Sequence, residues 1–375
     1  MGSMRSLFLF SMLPAIIWAA PIDYKVHFLG VDDPDVLKTV KSASFLSTLK
    51  QKKPNSINIL RSRAESDIPD ILKALHSHGY YDATAQVQIV EEGGDVDVFV
   101  MIQTGAVYTI ESFEVACANH FTPEELGIKI GDPMTTLKVL NAEQKVLELL
   151  SECGYPGSKI IDEQYIADYK TKTIAIHLKV DSGPEANFGS TTVIGAPHIQ
   201  KELFENKIAW EEGTTYDTRL VDQTQKKLLD TGLFSSVIIT HEQEKDGRVP
   251  MKIESMETKH KNINIGASYQ TFFGPGLTFG WENRNVSGRG RTLSLKGDVT
   301  AKNHTGTALF FVPDCGRVDQ DFAAQAQVMQ EAIVTYHEHS YSITNRIERR
   351  IDTRYRFAVG LKVERLLVSN SVSNG

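Results

Sequence analysis

The sequence predicts an α+β protein in which three copies of a small β-α-α-β-β module precede an antiparallel transmembrane β-barrel that is incomplete. Three observations predict this fold class. Two sequence markers recur with a period of about 78 residues. After Asn262, helical periodicity gives way to alternating segments of about ten residues. Positions 1–20 are typical of an export signal.

Composition narrows the class of protein before any motif is considered. The chain has 375 residues with 40 Lys+Arg and 47 Asp+Glu, a net charge of −7, so we expect no nucleic-acid partner. The three cysteines, at 117, 153 and 315, form no CxxC pair and indicate neither a disulfide framework nor a zinc knuckle. Cys117 and Cys153 share one repeat, so they either pair in an oxidising compartment or remain as buried thiols.

The N-terminal segment predicts export. In residues 1–20, Arg5 precedes an apolar run from Leu7 to Trp18, and Ala19 and Ala20 are small residues suited to cleavage. The run is shorter than the ~20 apolar residues that span a bilayer. A buried N-terminal helix is the alternative. Export leaves two fates, a soluble exported protein or an outer-membrane β-barrel.

The first repeat marker ends a helix-like segment with a glycine that is followed by an aromatic or apolar residue. Gly suits the left-handed position that terminates a helix, and the aromatic ring can fold back onto the last turn. The three copies are Gly79 with Tyr80, Gly154 with Tyr155, and Gly232 with Phe234.

Each marker follows a predicted amphipathic helix. The first has Ile68, Ile71, Leu72 and Leu75 on one face, with Ser66 or Asp67 as its cap and Pro69 in its first turn. The apolar faces of the other two consist of Leu140, Val146, Leu147 and Leu150, and of Leu220, Val221, Thr224, Leu228 and Leu229.

A second marker supports the same period, because Gly105 and Gly183 are separated by that interval and each follows an alternating strand. Each helix is followed by two such strands, and a further strand, such as Tyr24–Leu29, opens each module. The predicted domains are a signal peptide at 1–20, modules at 21–104, 105–182 and 183–259, and a partial barrel at 260–375.

The C-terminal third predicts strands joined by polar turns. Alternation alone fits a soluble β-sandwich as well as a membrane barrel, because it does not identify what covers the apolar face. The strand-like segments are 263–272, 276–284, 292–301, 305–312, 332–343 and 349–364.

Residues 280–295, GWENRNVSGRGRTLSL, resemble the opening barrel hairpin of the Omp85 superfamily. The three modules resemble the POTRA domains of that superfamily, and 63–83 is similar to the first POTRA domain of its TamA-type members. TamA is the outer-membrane subunit of the translocation and assembly module and has three POTRA domains, whereas BamA-like members have five. The hairpin positions that match are Gly280, Trp281, Asn285, Gly288, Arg289 and Gly290.

The resemblance implies an outer-membrane protein insertion factor that is not an enzyme, with its POTRA domains in the periplasm. Its partners would be the outer-membrane lipid bilayer, unfolded outer-membrane or autotransporter clients, and a TamB-like periplasm-spanning protein. Clients would add a strand to a laterally opening first barrel strand, here about 263–271. The residues assigned to that strand are Ile263, Ile265, Gly266, Ser268 and Tyr269.

The sequence departs from the family pattern in its C-terminal part. Family barrels have 16 strands, whereas 262–375 suffices for roughly six to eight at the usual length of strand and turn. The family's Val-Arg-Gly-Phe/Tyr loop motif is absent. We therefore expect a fragment, a truncated product or a degenerate paralogue. The alternative function is a non-inserting periplasmic scaffold.

No catalytic, metal or cofactor site is predicted. His337 and His339 share a strand face, and His76 and His78 flank a helix end. Neither pair has a third metal-binding residue at the spacing typical of a metal site. Cys315 has no identified His or Asp partner for nucleophilic chemistry.

Overall fold

The computed structural model describes residues 21–93, 95–242, 245–351 and 354–370. The predicted signal peptide at 1–20 lies outside them. The chain divides into two compact units. Unit 1 contains the described residues up to Leu149 together with Ser158–Ser182, and unit 2 contains Leu150–Gly157 and the described residues from Gly183 onward.

Module 1 packs three helices on a three-stranded sheet. Its sheet order is β1-β3-β2, with β1 parallel and β2 antiparallel to the central β3. Its elements are β1 (Tyr24–Leu29), α1 (Pro34–Ala43), α2 (Phe45–Thr48), α3 (Ile57–Ser77), β2 (Thr84–Glu92) and β3 (Asp95–Gln103).

Module 2 has the sheet order β4-β6-β5, again with the last strand in the centre. It contains one helix where the sequence predicted two, because Pro123, Gly127, Gly131 and Pro133 break the segment before α4 into turns. Its elements are β4 (Thr109–Ala116), α4 (Thr136–Glu152), β5 (Lys159–Asp168) and β6 (Thr173–Asp181).

Module 3 repeats the topology with order β7-β9-β8 and two helices. Its elements are β7 (Asn187–Ile194), α5 (Lys201–Lys207), α6 (Thr218–Asp230), β8 (Phe234–His241) and β9 (Arg248–Glu257). The three modules therefore share one sheet order, with the two strands that follow the helices forming its centre and one edge.

Helix faces that pack on the sheets follow the predicted period, with two errors. Leu140 and Leu229 were assigned to apolar faces but are exposed. In α4 the buried face is offset by one residue and contains Val139, Ala142 and Val146. Rotation of a helix about its axis by one residue changes which of two adjacent apolar side chains is covered, and only packing decides it.

The predicted start of α3 in module 1, with Ser66 or Asp67 as its cap, was wrong. Helix α3 begins after Ser56, whose hydroxyl accepts from Ile59 N, and Pro69 lies inside the helix. Asp67 is fully buried and caps a different helix: its carboxylate accepts from Phe45 N and Leu46 N, both at 2.8 Å. A mid-helix carboxylate thus satisfies the N-terminus of α2.

The C-terminal part is one seven-stranded antiparallel sheet in sequence order. The sequence missed the alanine- and glutamine-rich β14, and it extended the last strand back into the turn that precedes Arg356. The strands are β10 (Lys261–Gln270), β11 (Gly274–Val286), β12 (Arg291–Thr300), β13 (Asn303–Val312), β14 (Gln320–Ala332), β15 (Tyr336–Arg350) and β16 (Arg356–Asn370).

The predicted fold class is confirmed: three α+β modules precede an antiparallel sheet that does not close on itself within the described residues. A β-sandwich needs two packed sheets, and the described residues after Lys261 form a single one. No helix in the described ranges is long and apolar enough to cross a membrane. Cys117, Cys153 and Cys315 are free thiols.

Candidate functional site: a two-faced sheet with a free first edge

One face of the seven-stranded sheet is apolar and uncovered. Strand register places Ile265 of β10 beside Phe279 of β11, and Trp281 of β11 beside Leu295 of β12. The same face continues to Val363 on β16. Many of these side chains are exposed, with Ile265 at 80%. An exposed apolar surface of this extent marks a site of contact with another molecule or with a membrane. In transmembrane barrels, alternating strands place apolar side chains on the face that contacts lipid.

The opposite face of the sheet is polar and internally bonded. Thr278 donates to Asp298 Oδ1 at 2.7 Å, and Ser340 donates to Glu364 Oε1 at 3.1 Å. Near one end, Glu348 pairs with both Arg346 and Arg356, at 3.2 and 2.9 Å. A polar face backed by an apolar one is the arrangement of a barrel wall that separates lipid from an aqueous lumen.

The first strand has one unpaired edge. Strand β10 pairs only with β11 in the described part of the chain, and every residue of β10 is exposed. Of the residues predicted for this strand, Ile263, Ile265 and Tyr269 lie on the apolar face. Gly266 and Ser268 lie on the polar face. The backbone N–H and C=O groups along this edge are available to another strand.

The predicted hairpin motif is split between the sheet and a turn. Gly280 and Trp281 lie in mid-strand on β11, on opposite faces. Asn285 lies near the end of β11, whereas Gly288, Arg289 and Gly290 form the β11–β12 turn. The six residues thus do not form one site, and only the last four act together.

The β11–β12 turn is bonded to module 3 within unit 2. Asn285 Nδ2 donates to the carbonyl of His198 at 2.9 Å, while Asn285 Oδ1 accepts from Gly290 N at 3.1 Å. Gln200 N donates to the Gly288 carbonyl at 2.8 Å, and Arg289 Nε donates to Gln200 Oε1 at 2.7 Å. The motif therefore fixes one end of the sheet against the loop that precedes α5.

A second attachment joins α5 to the β13–β14 turn. Lys207 Nζ lies 2.7 Å from Asp314 Oδ2, and both side chains are largely buried. Asp314 Oδ1 also accepts from Asp319 N, and Asp314 N donates to Asp321. These bonds hold the turn in place beneath a cleft of about 410 Å³ between module 3 and the sheet end.

A third attachment surrounds the segment that leads into the first strand. Glu257, at the end of β9, accepts from His198 N at 2.8 Å and from His260 Nε2 at 3.1 Å. Burial alone would raise the pKa of Glu257, but these hydrogen bonds outweigh it and hold the pKa below its usual range. Glu257 therefore stays ionised at neutral pH and ties the linker before β10 to module 3.

The repeat markers lie at helix ends in all three modules, but their contacts differ. Gly79, Gly154 and Gly232 have positive φ, as predicted for helix terminators. Tyr80 N bonds back to Leu75 O, and Tyr155 N bonds back to Leu150 O. In addition, the Gly79 carbonyl accepts from Tyr108 N at 2.9 Å, and the Gly154 carbonyl accepts from Ala186 N at 2.9 Å. In these two copies the helix end thus contacts the residues before the next sheet.

The sequence did not indicate which residues of module 3 bond to the hairpin motif and to the turns of the sheet. His198, Gln200 and Lys207 carried no local signal, because their partners lie far along the chain, in turns of the sheet. The histidines considered for metal have other contacts: His76 stacks on Tyr81, and His78 bonds Thr39. The described ranges contain no group of three or more metal-binding side chains suited to a metal ion.

Comparison with known proteins gives sequence relatives and solved structures of similar fold. The outer membrane protein assembly factor BamA of Buchnera aphidicola is 26% identical over 240 residues, which cover 61% of this chain and 39% of the relative. The chain therefore spans well under half the length of that protein. No family model matches the sequence.

The fold of this chain is similar to that of a solved BamA structure. BamA from Haemophilus ducreyi lacking POTRA domains 1–3 superposes with a TM-score of 0.62 at 17% identity, covering 70% of this chain and 52% of that one. POTRA domains 3–5 of Haemophilus influenzae BamA give a TM-score of 0.42 at 20% identity, over 64% of this chain and 96% of that one. The chain is thus similar in sequence to an outer membrane protein assembly factor and similar in fold to the BamA structure from Haemophilus ducreyi.

Proposed function

We propose that the chain is part of an outer-membrane protein assembly factor, of the TamA type, with its sheet in the outer membrane and its POTRA modules in the periplasm. The observation that carries the proposal is the β10 edge, which is unpaired in the described residues, exposed along its whole length and apolar on one face. Burial of that face in lipid would leave the free backbone groups of the edge as the acceptor for a client strand.

The driving force would be hydrogen bonding in a water-free layer. Each unsatisfied backbone group in the hydrocarbon region costs several kcal/mol, so an incoming strand of an unfolded outer-membrane or autotransporter protein is stabilised by pairing there. No step of this process needs an acid, a base or a cofactor. The residues proposed for the acceptor strand remain Ile263, Ile265, Gly266, Ser268 and Tyr269.

Site-specific photocrosslinking tests the acceptor edge. A photoreactive phenylalanine analogue replaces Ser268 on β10 or, as the matched control, Thr307 on the interior strand β13, and the full chain is expressed with an unfolded outer-membrane client. Both positions lie on the polar face. We expect client adducts from position 268 and none from position 307. Equal yields at both positions, or none from either, would contradict the acceptor role.

A periplasmic scaffold is the second candidate, favoured by the open sheet. Strand β16 also pairs on one side only in the described residues, so two edges carry free backbone groups. Alkaline extraction of membranes separates the two functions, because an inserted sheet remains in the pellet and a scaffold is released. Recovery of the whole chain in the soluble fraction would favour the scaffold.

The POTRA modules offer surfaces for clients and for a TamB-like partner. In module 2, β5 is an edge strand that is almost entirely exposed, with Ile161 and Ile166 among its exposed side chains. Strand addition at such an edge satisfies its free backbone groups. A proline at Glu163, in mid-strand, should abolish crosslinking of a partner to β5 if this edge is used.

A further inference from the structure

The end of the sheet that faces module 3 can be identified from contacts within unit 2. Strand β10 follows β9 after three residues, and the 287–290 turn and Asp314 are both bonded to module 3. The turn between β15 and β16 lies at this same end, because the Arg350 N–H donates to the Asp319 carbonyl of the β13–β14 turn. In the proposed membrane orientation this end faces the periplasm.

Arginines are concentrated at the β15–β16 turn. Residues 346–356 contain five arginines and two acidic residues. Arg346 and Arg356 both pair with Glu348 and are therefore neutralised in part. Arg349 and Arg354 are exposed and have no ion pair among the described residues. Arg350 interacts electrostatically with Asp321, so within those residues the guanidinium groups of Arg349 and Arg354 remain without an acidic partner.

Arg349 lies on the apolar face of the sheet, and Arg354 lies in the adjoining turn. Register places Arg349 beside Phe357 on β16, on the same face as Ile347. Phe357 is 60% exposed, and Tyr355 in the adjoining turn is 62% exposed. An aromatic pair with an unpaired cation at the end of an apolar band is the composition found where a membrane protein crosses from hydrocarbon to headgroups.

We propose that Arg349 and Arg354, flanked by Tyr355 and Phe357, form a docking surface for the phosphate of anionic phospholipids in the periplasmic leaflet. A guanidinium group binds phosphate through two parallel N–H donors, and the apolar rings next to it can lie against acyl chains. The inference rests on the proposed membrane position of the sheet. It adds a preference for anionic lipid, which an apolar face alone does not give.

The test uses the full chain purified in a neutral detergent. Phosphatidylglycerol and phosphatidylethanolamine are titrated separately, and bound lipid is counted by native mass spectrometry. We expect the wild type to prefer phosphatidylglycerol, and the apparent dissociation constant for it to rise roughly tenfold in R349Q/R354Q. R349K/R354K keeps the charges and should retain most of the binding.

The matched control is K296Q/K302Q, which removes one positive charge from β12 and one from the β12–β13 turn, both away from the β15–β16 turn. Its phosphatidylglycerol affinity should stay at the wild-type value. Equal loss in both double variants, or no preference in the wild type, would overturn the inference. It also fails if R349Q/R354Q keeps lipid binding but loses capture of an acidic peptide, because the surface would then serve a protein.

Alkaline extraction of wild-type membranes distinguishes failure of this inference from failure of the proposed function. If the wild type stays in the pellet but has no preference for phosphatidylglycerol, only the lipid site is wrong. If the wild type is released from the membrane, the proposed function and the lipid site fail together.

Discussion

Lys207 and Asp314 form a largely buried ion pair, 2.7 Å between Nζ and Oδ2, that joins helix α5 of module 3 to the β13–β14 turn of the sheet. The side chains are 14% and 10% exposed, so solvent screens the pair weakly. Together with the bonds of Asn285 and Gln200, this pair attaches module 3 to the end of the sheet by side chains from two separate turns. Movement of the module would have to break both.

Replacing Lys207 with Met should destabilise this attachment. The substitution keeps most of the apolar stem but leaves the Asp314 carboxylate without its cation, which costs about 3 kcal/mol for a buried pair. Adding Asp314→Asn removes the charge and keeps an acceptor for Asp319 N, so the double variant should recover much of the loss. Limited proteolysis at the 313–319 turn measures both. Equal cleavage in wild type and single variant would contradict a role in attachment.

Asp67→Ala should selectively destabilise module 1. The variant removes the acceptor of the buried Ser44 hydroxyl and of the Phe45 and Leu46 N–H groups, at a cost of about 3 kcal/mol. Hydrogen–deuterium exchange of peptides covering 44–49 gives a local readout, and exchange there should increase.

The control for Asp67 is Asp70→Ala on the same helix, which removes only a pairing with the exposed Lys73. Its effect should be within about 0.5 kcal/mol of zero. If Asp70→Ala increases exchange at 44–49 as much as Asp67→Ala does, Asp67 is not the cap of α2.

Glu143→Gln should stabilise module 2 at neutral pH and flatten its pH dependence. Burial, and then the nearby charge of Glu163, raise the pKa of Glu143, whereas the bond from Tyr165 lowers it by less. Since the folded pKa is raised, the stabilisation from the protonated form is complete below the unfolded pKa of about 4.3 and is lost as pH rises through the folded pKa.

Thermal unfolding in detergent between pH 4 and pH 8 measures this difference. The gain of Glu143→Gln over wild type should be near zero at the acid end and largest at the neutral end. Glu148→Gln, an exposed change on the same helix, should leave the wild-type slope intact. A constant offset between Glu143→Gln and wild type at every pH would mean that Glu143 does not titrate with folding.

Gly79→Ala and Gly232→Ala form a matched pair at equivalent repeat positions. Both glycines have positive φ, so each alanine incurs about 1–2 kcal/mol of backbone strain. A Cβ on residue 79 would lie 2.8 Å from the Met134 carbonyl oxygen, whereas one on residue 232 would meet nothing within 4 Å. Gly79→Ala should therefore cost about 1 kcal/mol more. Urea unfolding compares them, and equal costs would contradict the close approach.

Strand alternation and helix termination could be predicted from the sequence because both are local. Strand β1 has the predicted bounds, Tyr24–Leu29, and the glycine markers adopt the expected positive φ. Each depends only on residues within one turn or one strand. The division of the C-terminal strands into an apolar and a polar face followed from the same two-residue period.

Errors arose where a distant partner decides the outcome. Asp67 resembles a local cap, but its partners lie on α2, a separate helix earlier in the chain. Strand β14 was missed because alanine and glutamine carry little strand signal, and its place is fixed by pairing with β13 and β15. The bonds of the Asn285 turn to module 3 depend on tertiary contacts that periodicity cannot indicate.

The number of strands in the described sheet restricts how one added segment could join its two ends. With seven antiparallel strands, β10 and β16 point the same way, so they are unable to pair with each other in the antiparallel sense. A polypeptide that bonds to both in that sense must travel from the far end toward module 3. The odd number of strands thus fixes the chain direction of any segment that pairs antiparallel with both edges.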